Sequence, residues 1–389
     1  MAERVRVIFG GWYQRTTLHL SEVQRFLLHG TSNLELSKSE LKTLRENLEL
    51  KFIKRIVGEL EYLEFESKNG INVRYFEDGL YVLSKKSGEI AKTKKEINDY
   101  FHEKLQPALH YLFSLGAPTP KILSNMKDEH PFILERISRD PLKAKIDKSL
   151  GDVYLETKSN GIRVSKTPDN IIIDVSESKK RIAEDLTEMQ IFFSDFKLQL
   201  HKYLDIHRKI WEDIDEIKEK KTIKGKDIGK SKAMLNSYEK TVQLIDNRID
   251  QMSNYAKTRQ NISRKINIDK TLNDLFQYRF EDLFNTLEYI KEVWEMTTDY
   301  VRSAIRVVGE AEKELGSKDL DSIRLLVGFG VISGIIGYFE KPKMPEIALT
   351  GVLYVVGMGA IALFANWIIK TVAKKKSYEL NFVERDSNI

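Results

Sequence analysis

Taken at helical spacing, seven residues near the C-terminus form one face with chemical potential: Asp319, Ile323, Leu326, Gly330, Ser333, Gly337 and Glu340. The face is small or polar toward its outer half and carries an acid at each end. Rings of acidic side chains attract cations, and small residues let helices approach closely. One such helix from each of several subunits, set around a symmetry axis, would line a cation pore. The Gly330-x-x-x-Gly334 spacing also reads as a plain helix-packing motif, and the two roles can coexist. Arg324 is a counter-signal at the inner end, but its spacing places it off this face.

No other chemistry stands out. The chain has no phosphate loop, dinucleotide fingerprint or His-Glu-x-x-His zinc motif. His201 and His207 are six apart, which puts them on different helix faces. Asp213 with Asp215 and Glu310 with Glu312 sit in charged helices and read as solvated faces. With no cysteine, disulfides, thiolate metal sites and cysteine nucleophiles are excluded. We therefore expect no enzyme and no covalently bound cofactor.

Two uncharged apolar runs lie here, 325–339, which carries Leu326, Gly330, Ser333 and Gly337 of the candidate face, and 347–369. The second, at about 1.5 Å per residue, is long enough for a bilayer core of about 30 Å. The first reaches only about 22 Å on the same rule and must borrow length from 320–324. A transmembrane hairpin is predicted, with helices at 320–339 and 347–369; the alternative is a buried hairpin of a soluble core. Lysine and arginine flank both outer ends, so both termini are expected to be cytoplasmic, with the hairpin in the cell membrane. The chain as a whole is polar: 31% of residues are charged and the net charge is +5. No basic-aromatic strip points to a nucleic acid polymer.

Upstream, residues 1–175 read as a mixed α and β cytoplasmic domain. Strands at 62–66, 71–76 and 80–83 are separated by Asn69-Gly70 and Asp78-Gly79, and strands at 153–157, 162–164 and 171–175 by Asn160-Gly161 and Asp169-Asn170. Asn-Gly and Asp-Gly favour type I′ hairpins, whose central residues need positive φ. The two meanders match at a constant spacing of 91 residues, as from Asn69 to Asn160. This is a duplicated β unit, or simply the turn chemistry that meanders share. Residues 176–319 read as a long helical, coiled-coil stalk, with helices at about 177–219 and 232–265 and a third from Asp269 into the first apolar run. Their length predicts self-association. A two-helix membrane hairpin spans 320–370 and a basic tail 371–389. The expected fold class is thus an α+β domain, a long helical region and a two-helix transmembrane hairpin.

This layout resembles the CorA magnesium transporters. Gly337-Tyr338-Phe339-Glu340, followed by Lys343-Met344-Pro345-Glu346, is similar to that family's Gly-Met-Asn signature and its following Phe-Glu and Met-Pro-Glu. The resemblance implies a homopentamer with a funnel of long helices and a pore lined by the first membrane helix. It implies Mg²⁺ or a related divalent cation as substrate, with Gly337, Tyr338, Phe339, Glu340 and Glu346 at the outer mouth. The signature asparagine is absent, which leaves the Tyr338 hydroxyl, backbone carbonyls, Glu340 and Glu346 as oxygen ligands. Divergent members of the family occur beside type III CRISPR systems, where a nucleotide messenger acts. A membrane effector gated by a small-molecule regulator is one alternative; a non-conducting, membrane-tethered coiled-coil scaffold is another.

Overall fold

The computed structural model describes residues 5–13, 19–116, 131–339, 360, 363–364, 367–369 and 371–382. The chain forms two compact units. The first joins Met1–Ile206 with Leu244–Glu292, and the second joins His207–Gln243 with Val293–Ile389.

The first unit is built on a nine-stranded sheet. Its strands are β1 (Val5–Trp12), β2 (Leu50–Ile56), β3 (Tyr62–Ser67), β4 (Asn72–Phe76), β5 (Leu80–Ser87), β6 (Phe132–Ile137), β7 (Leu155–Ser159), β8 (Ile162–Lys166) and β9 (Asn170–Val175). The order is β2-β3-β4-β5-β1-β6-β9-β8-β7. Every neighbouring pair is antiparallel except β6 and β9. The two meanders therefore belong to one sheet and flank the central β1–β6 pair.

Side chains alternate between the two faces of a strand. Val5, Val7 and Phe9 of β1 join Val73, Tyr75, Leu83 and Leu134 in one hydrophobic core. The helices α1 (Leu20–His29), α2 (Lys38–Asn47), α3 (Ile90–Tyr100) and α4 (Gln106–Gly116) supply Phe26, Leu41, Ile97 and Leu109 to the same core. Ser37 caps α2 by accepting from the Glu40 N–H. Between α3 and α4 a π turn covers Phe101–Leu105, where Pro107 removes a donor from the helix ladder.

The opposite face meets the first part of α5 (Lys180–Glu219). Trp12 stacks on Phe196 at 5.4 Å and meets Phe192 edge-on at the same distance. A side chain at Gly10 would come within 2.8 Å of Ile191 and 2.6 Å of the Tyr81 carbonyl, so glycine permits this close approach.

The hairpins differ in kind. Asn160 and Gly161 both have positive φ, 49° and 67°, the type I′ geometry expected. At 67–71 and 76–80 the loops hold three residues, with Gly70 and Gly79 left-handed at φ 75° and 92°. Loop length sets register. Aligned on Val73 and Val164, Phe65 corresponds to Thr157, 92 residues on, and Leu83 to Ile173, 90 residues on. The constant spacing of 91 in sequence is thus not a constant register in the sheet.

The second unit contains the end of α5, the start of α6 (Gly225–Lys265) and α8 (Phe280–Phe339) from Val293 onward. Ile210, Ile214, Leu235, Val242, Trp294, Val301 and Val308 are buried. A two-stranded pair, β10 (Thr222–Lys224) with β11 (Ser377–Glu379), ties the C-terminal segment to the turn between α5 and α6. Gly225 donates to the Lys376 carbonyl and sits where a Cβ would meet the Ala373 carbonyl at 2.5 Å. The short helix α7 (Asp269–Phe276) ends at Gln277, which is left-handed at φ 58°, so α7 and α8 are separate where one helix from Asp269 was expected.

The transmembrane hairpin is corrected. Among the described residues no helix is long and apolar enough to cross a membrane. The first run is the end of α8, a 60-residue helix, and its 15 uncharged residues fall short of the ~20 that a span requires. Most of 347–369 lies outside the described residues. The fold class retains the sheet and helices without the two-helix hairpin. The assignments as a membrane protein, an ion channel and a two-span protein of the cell membrane fall with it.

Candidate functional site

A charge-lined cleft lies in the first unit, on the α5 face of the sheet. Its volume is about 510 Å³. Parity puts the lining side chains together. Arg6 on β1, Glu64 on β3, Asn72 and Arg74 on β4, Ser84 and Lys86 on β5, and Glu135 on β6 all point away from the hydrophobic core. Lys85, Lys180 and Glu184 complete the charged lining. Four cations, Arg6, Arg74, Lys86 and Lys180, face three carboxylates; the Lys85 ammonium turns to Glu96 on the other face. Lys180 is the first residue of α5, so the positive end of that helix dipole is at the cleft.

Two arginines are held by shared carboxylates. Arg6 Nη1 donates to Glu184 at 2.9 Å and to Glu135 at 3.3 Å. Arg74 Nη2 donates to Glu184 at 3.2 Å, and its Nη1 donates to Glu188 at 3.0 Å. Glu184 is the pivot, with one oxygen for each guanidinium. Lys85 pairs with Glu96 at 2.7 Å and Lys54 with Glu64 at 2.9 Å. Lys86 is exposed and lies opposite Arg6 across the β1–β5 ladder.

The network continues beneath the cleft. Glu188 lies 3.9 Å from Arg259, which donates to Asp78 at 2.7 and 3.1 Å. Arg259 also lies over the Phe76 and Phe192 rings. Burial pushes the Glu188 carboxyl above the ordinary carboxylate range, with Arg259 and Arg74 opposing it. Burial raises Glu135 in the same way against Arg6. Each carboxylate therefore depends on its arginine, and each arginine on its carboxylates, because an unpaired buried charge is strongly unfavourable.

Next to this, on the core face, Asp174 is fully buried between Arg136 and Arg163. Arg136 donates to it at 2.7 and 3.0 Å, and Arg163 at 2.7 and 3.1 Å. The arginines also hold the carbonyls of Lys145 and Ala144, which ties the 138–150 segment to the sheet.

The residues singled out from sequence lie elsewhere. Asp319, Ile323, Leu326, Gly330, Ser333, Gly337, Tyr338 and Phe339 are all within α8, while Glu340 and Glu346 lie outside the described residues. Their expected roles required a membrane span. Among the described residues no group of three or more His, Asp or Glu could hold a metal ion. His207 shares a hydrogen bond with Thr297 at 2.6 Å, and burial lowers its pKa. His201 is exposed. The cleft residues were missed in sequence, although charged residues inside apolar strands were a usable signal: Arg74 between Val73 and Tyr75, and Glu135 and Arg136 in Phe-Ile-Leu-Glu-Arg-Ile.

No protein-family model, curated protein or solved structure matches this chain.

Proposed function

We propose that this chain is a ligand-binding regulatory protein whose sheet-centred unit takes a small phosphate-bearing anion in the Arg6–Arg74 cleft. The observation that carries the reading is Glu184, whose carboxylate bridges two guanidinium groups at 2.9 and 3.2 Å in a cleft where cations outnumber acids. A carboxylate in that position is a place-holder for an incoming anion. Guanidinium matches phosphate in planar, two-point fashion, and a helix N-terminus favours the same charge. Ligand oxygens replace the Glu184 oxygens on Arg6 and Arg74, while Lys86 and Lys180 supply further positive charge. The freed carboxylate belongs to α5, so binding alters the contacts of that helix with β1 and β4. Of the partners expected from sequence, this reading keeps the small-molecule regulator.

The test is calorimetric titration of the full-length chain with inorganic phosphate and with pyrophosphate. Saturable heat that weakens at least tenfold in a Lys86→Gln/Lys180→Gln double variant supports the proposal. No heat, or equal affinity in the double variant, overturns it.

A further inference from the structure

A second group of cations lies on the other half of the same sheet face. Lys166 ends β8, and Lys197 lies on α5 two turns beyond Gln190. The Lys166 Nζ is 5.9 Å from the centre of the Phe276 ring, and the Lys197 Nζ is 4.9 Å from that of Tyr278. The rings form one stack. Tyr278 lies 4.7 Å from Phe193 at 8° and 5.8 Å from Phe276 at 18°. The left-handed Gln277 between Phe276 and Tyr278 makes the short turn that allows them to stack.

This arrangement leaves the half-buried Lys166 without a counter-charge, while Lys197 is exposed. Among the described residues each lysine has a ring for a partner, and no carboxylate pairs with either. Ring faces attract ammonium groups but offset only part of the loss of water. Burial, and then Lys197, hold the Lys166 ammonium below its ordinary range. A second polar group is also incompletely served. Gln190 is 3% exposed, and its Oε1 has no hydrogen-bond partner among the described residues. Tyr154, exposed, precedes β7 and donates its backbone N–H to the Lys166 carbonyl at 3.1 Å.

We infer that Lys166 and Lys197 form a second anion site, built for a phosphate group carried on an aromatic ring system such as a nucleoside monophosphate. The phosphate bridges the two ammonium groups and supplies the missing negative charge. The ring system packs on Tyr154, and an N–H or O–H of the ligand serves the Gln190 Oε1. Exposed aromatic rings give base-type ligands a sequence-tolerant platform.

Adenosine monophosphate and inorganic phosphate, each titrated into the full-length chain, test the inference. Lysine side-chain NMR is the second readout. Adenosine monophosphate is expected to bind at least fivefold tighter than phosphate and to raise the pKa of Lys166. Lys197→Gln, at an exposed position that leaves the core intact, is expected to weaken it at least fivefold, and Lys166→Met at least tenfold. Arg74→Gln is expected to leave it within twofold. Unchanged affinity in Lys197→Gln, equal affinity for the two probes, or a Lys166 signal that ignores saturating ligand would each overturn the inference.

Discussion

Replacing Glu184 by glutamine separates the cleft's role in binding from its role in stability. Glu184 is 26% exposed and accepts from Arg6 at 2.9 Å and Arg74 at 3.2 Å. A hydrogen bond to a charged group contributes about 1.5–3 kcal/mol when well buried, and an exposed ion pair about 0–1 kcal/mol. At this partial exposure about 1 kcal/mol per contact is the reasonable discounted value. Glutamine keeps one acceptor oxygen, so about half of that ~2 kcal/mol is lost from the native state. The same change removes the group that competes with a ligand and leaves four cations against two carboxylates in the cleft. Glu184→Gln should therefore lower unfolding stability by about 1 kcal/mol while tightening pyrophosphate binding about fivefold, since 1.4 kcal/mol is tenfold. Urea denaturation gives the first quantity and calorimetry at low and moderate salt the second. A variant that loses stability and also binds more weakly would show that Glu184 supports the site rather than occupying it.

Other changes test the scaffold. Asp174→Asn leaves buried Arg136 without a carboxylate and Arg163 with only Glu156 at 3.8 Å, and should cost roughly 3–5 kcal/mol in denaturant unfolding; a loss below 1 kcal/mol would contradict that account. Gly79→Ala forces a Cβ toward the Tyr13 carbonyl at φ 92° and should lower stability by about 1–3 kcal/mol, read as a fall in Tm. Glu135 has a raised folded-state pKa, so its contribution is fully present below the ordinary value of about 4.3 and is lost as pH rises through the raised one. Glu135→Gln cannot titrate, and its stability relative to the parent should rise with pH across that window; a constant difference from pH 4 to 8 would rule this out.

Local chemistry made the meanders readable. Alternating apolar residues and Asn-Gly or Asp-Gly turns placed β3, β4, β5, β8 and β9 close to their true positions. The helix stripes likewise located α5 and most of α6. Register was not readable, because the choice between a two-residue and a three-residue loop depends on whether the residue before the glycine also turns left-handed, as Asn160 does and Asn69 and Asp78 do not. β2 and β6 were also missed. The first is an edge strand whose Lys51, Lys54 and Arg55 mask its alternation, and the second carries the adjacent charges Glu135 and Arg136, which break its own. The apolar runs drew attention to the C-terminus, where length alone suggested a span that no described helix bears out. The cleft was invisible for a different reason. Its pairs join residues far apart in sequence, 114 for Arg74 with Glu188 and 178 for Arg6 with Glu184. Only the sheet order brings them together.

The most direct test of the proposed function is the nitrogen-15 NMR spectrum of the arginine side chains as pyrophosphate is added. The Arg6 and Arg74 signals are predicted to shift together and saturate, while Arg136 and Arg163, locked on Asp174, stay in place. If no arginine signal moves, or all drift alike as they would with ionic strength, the Arg6–Arg74 cleft is not an anion site.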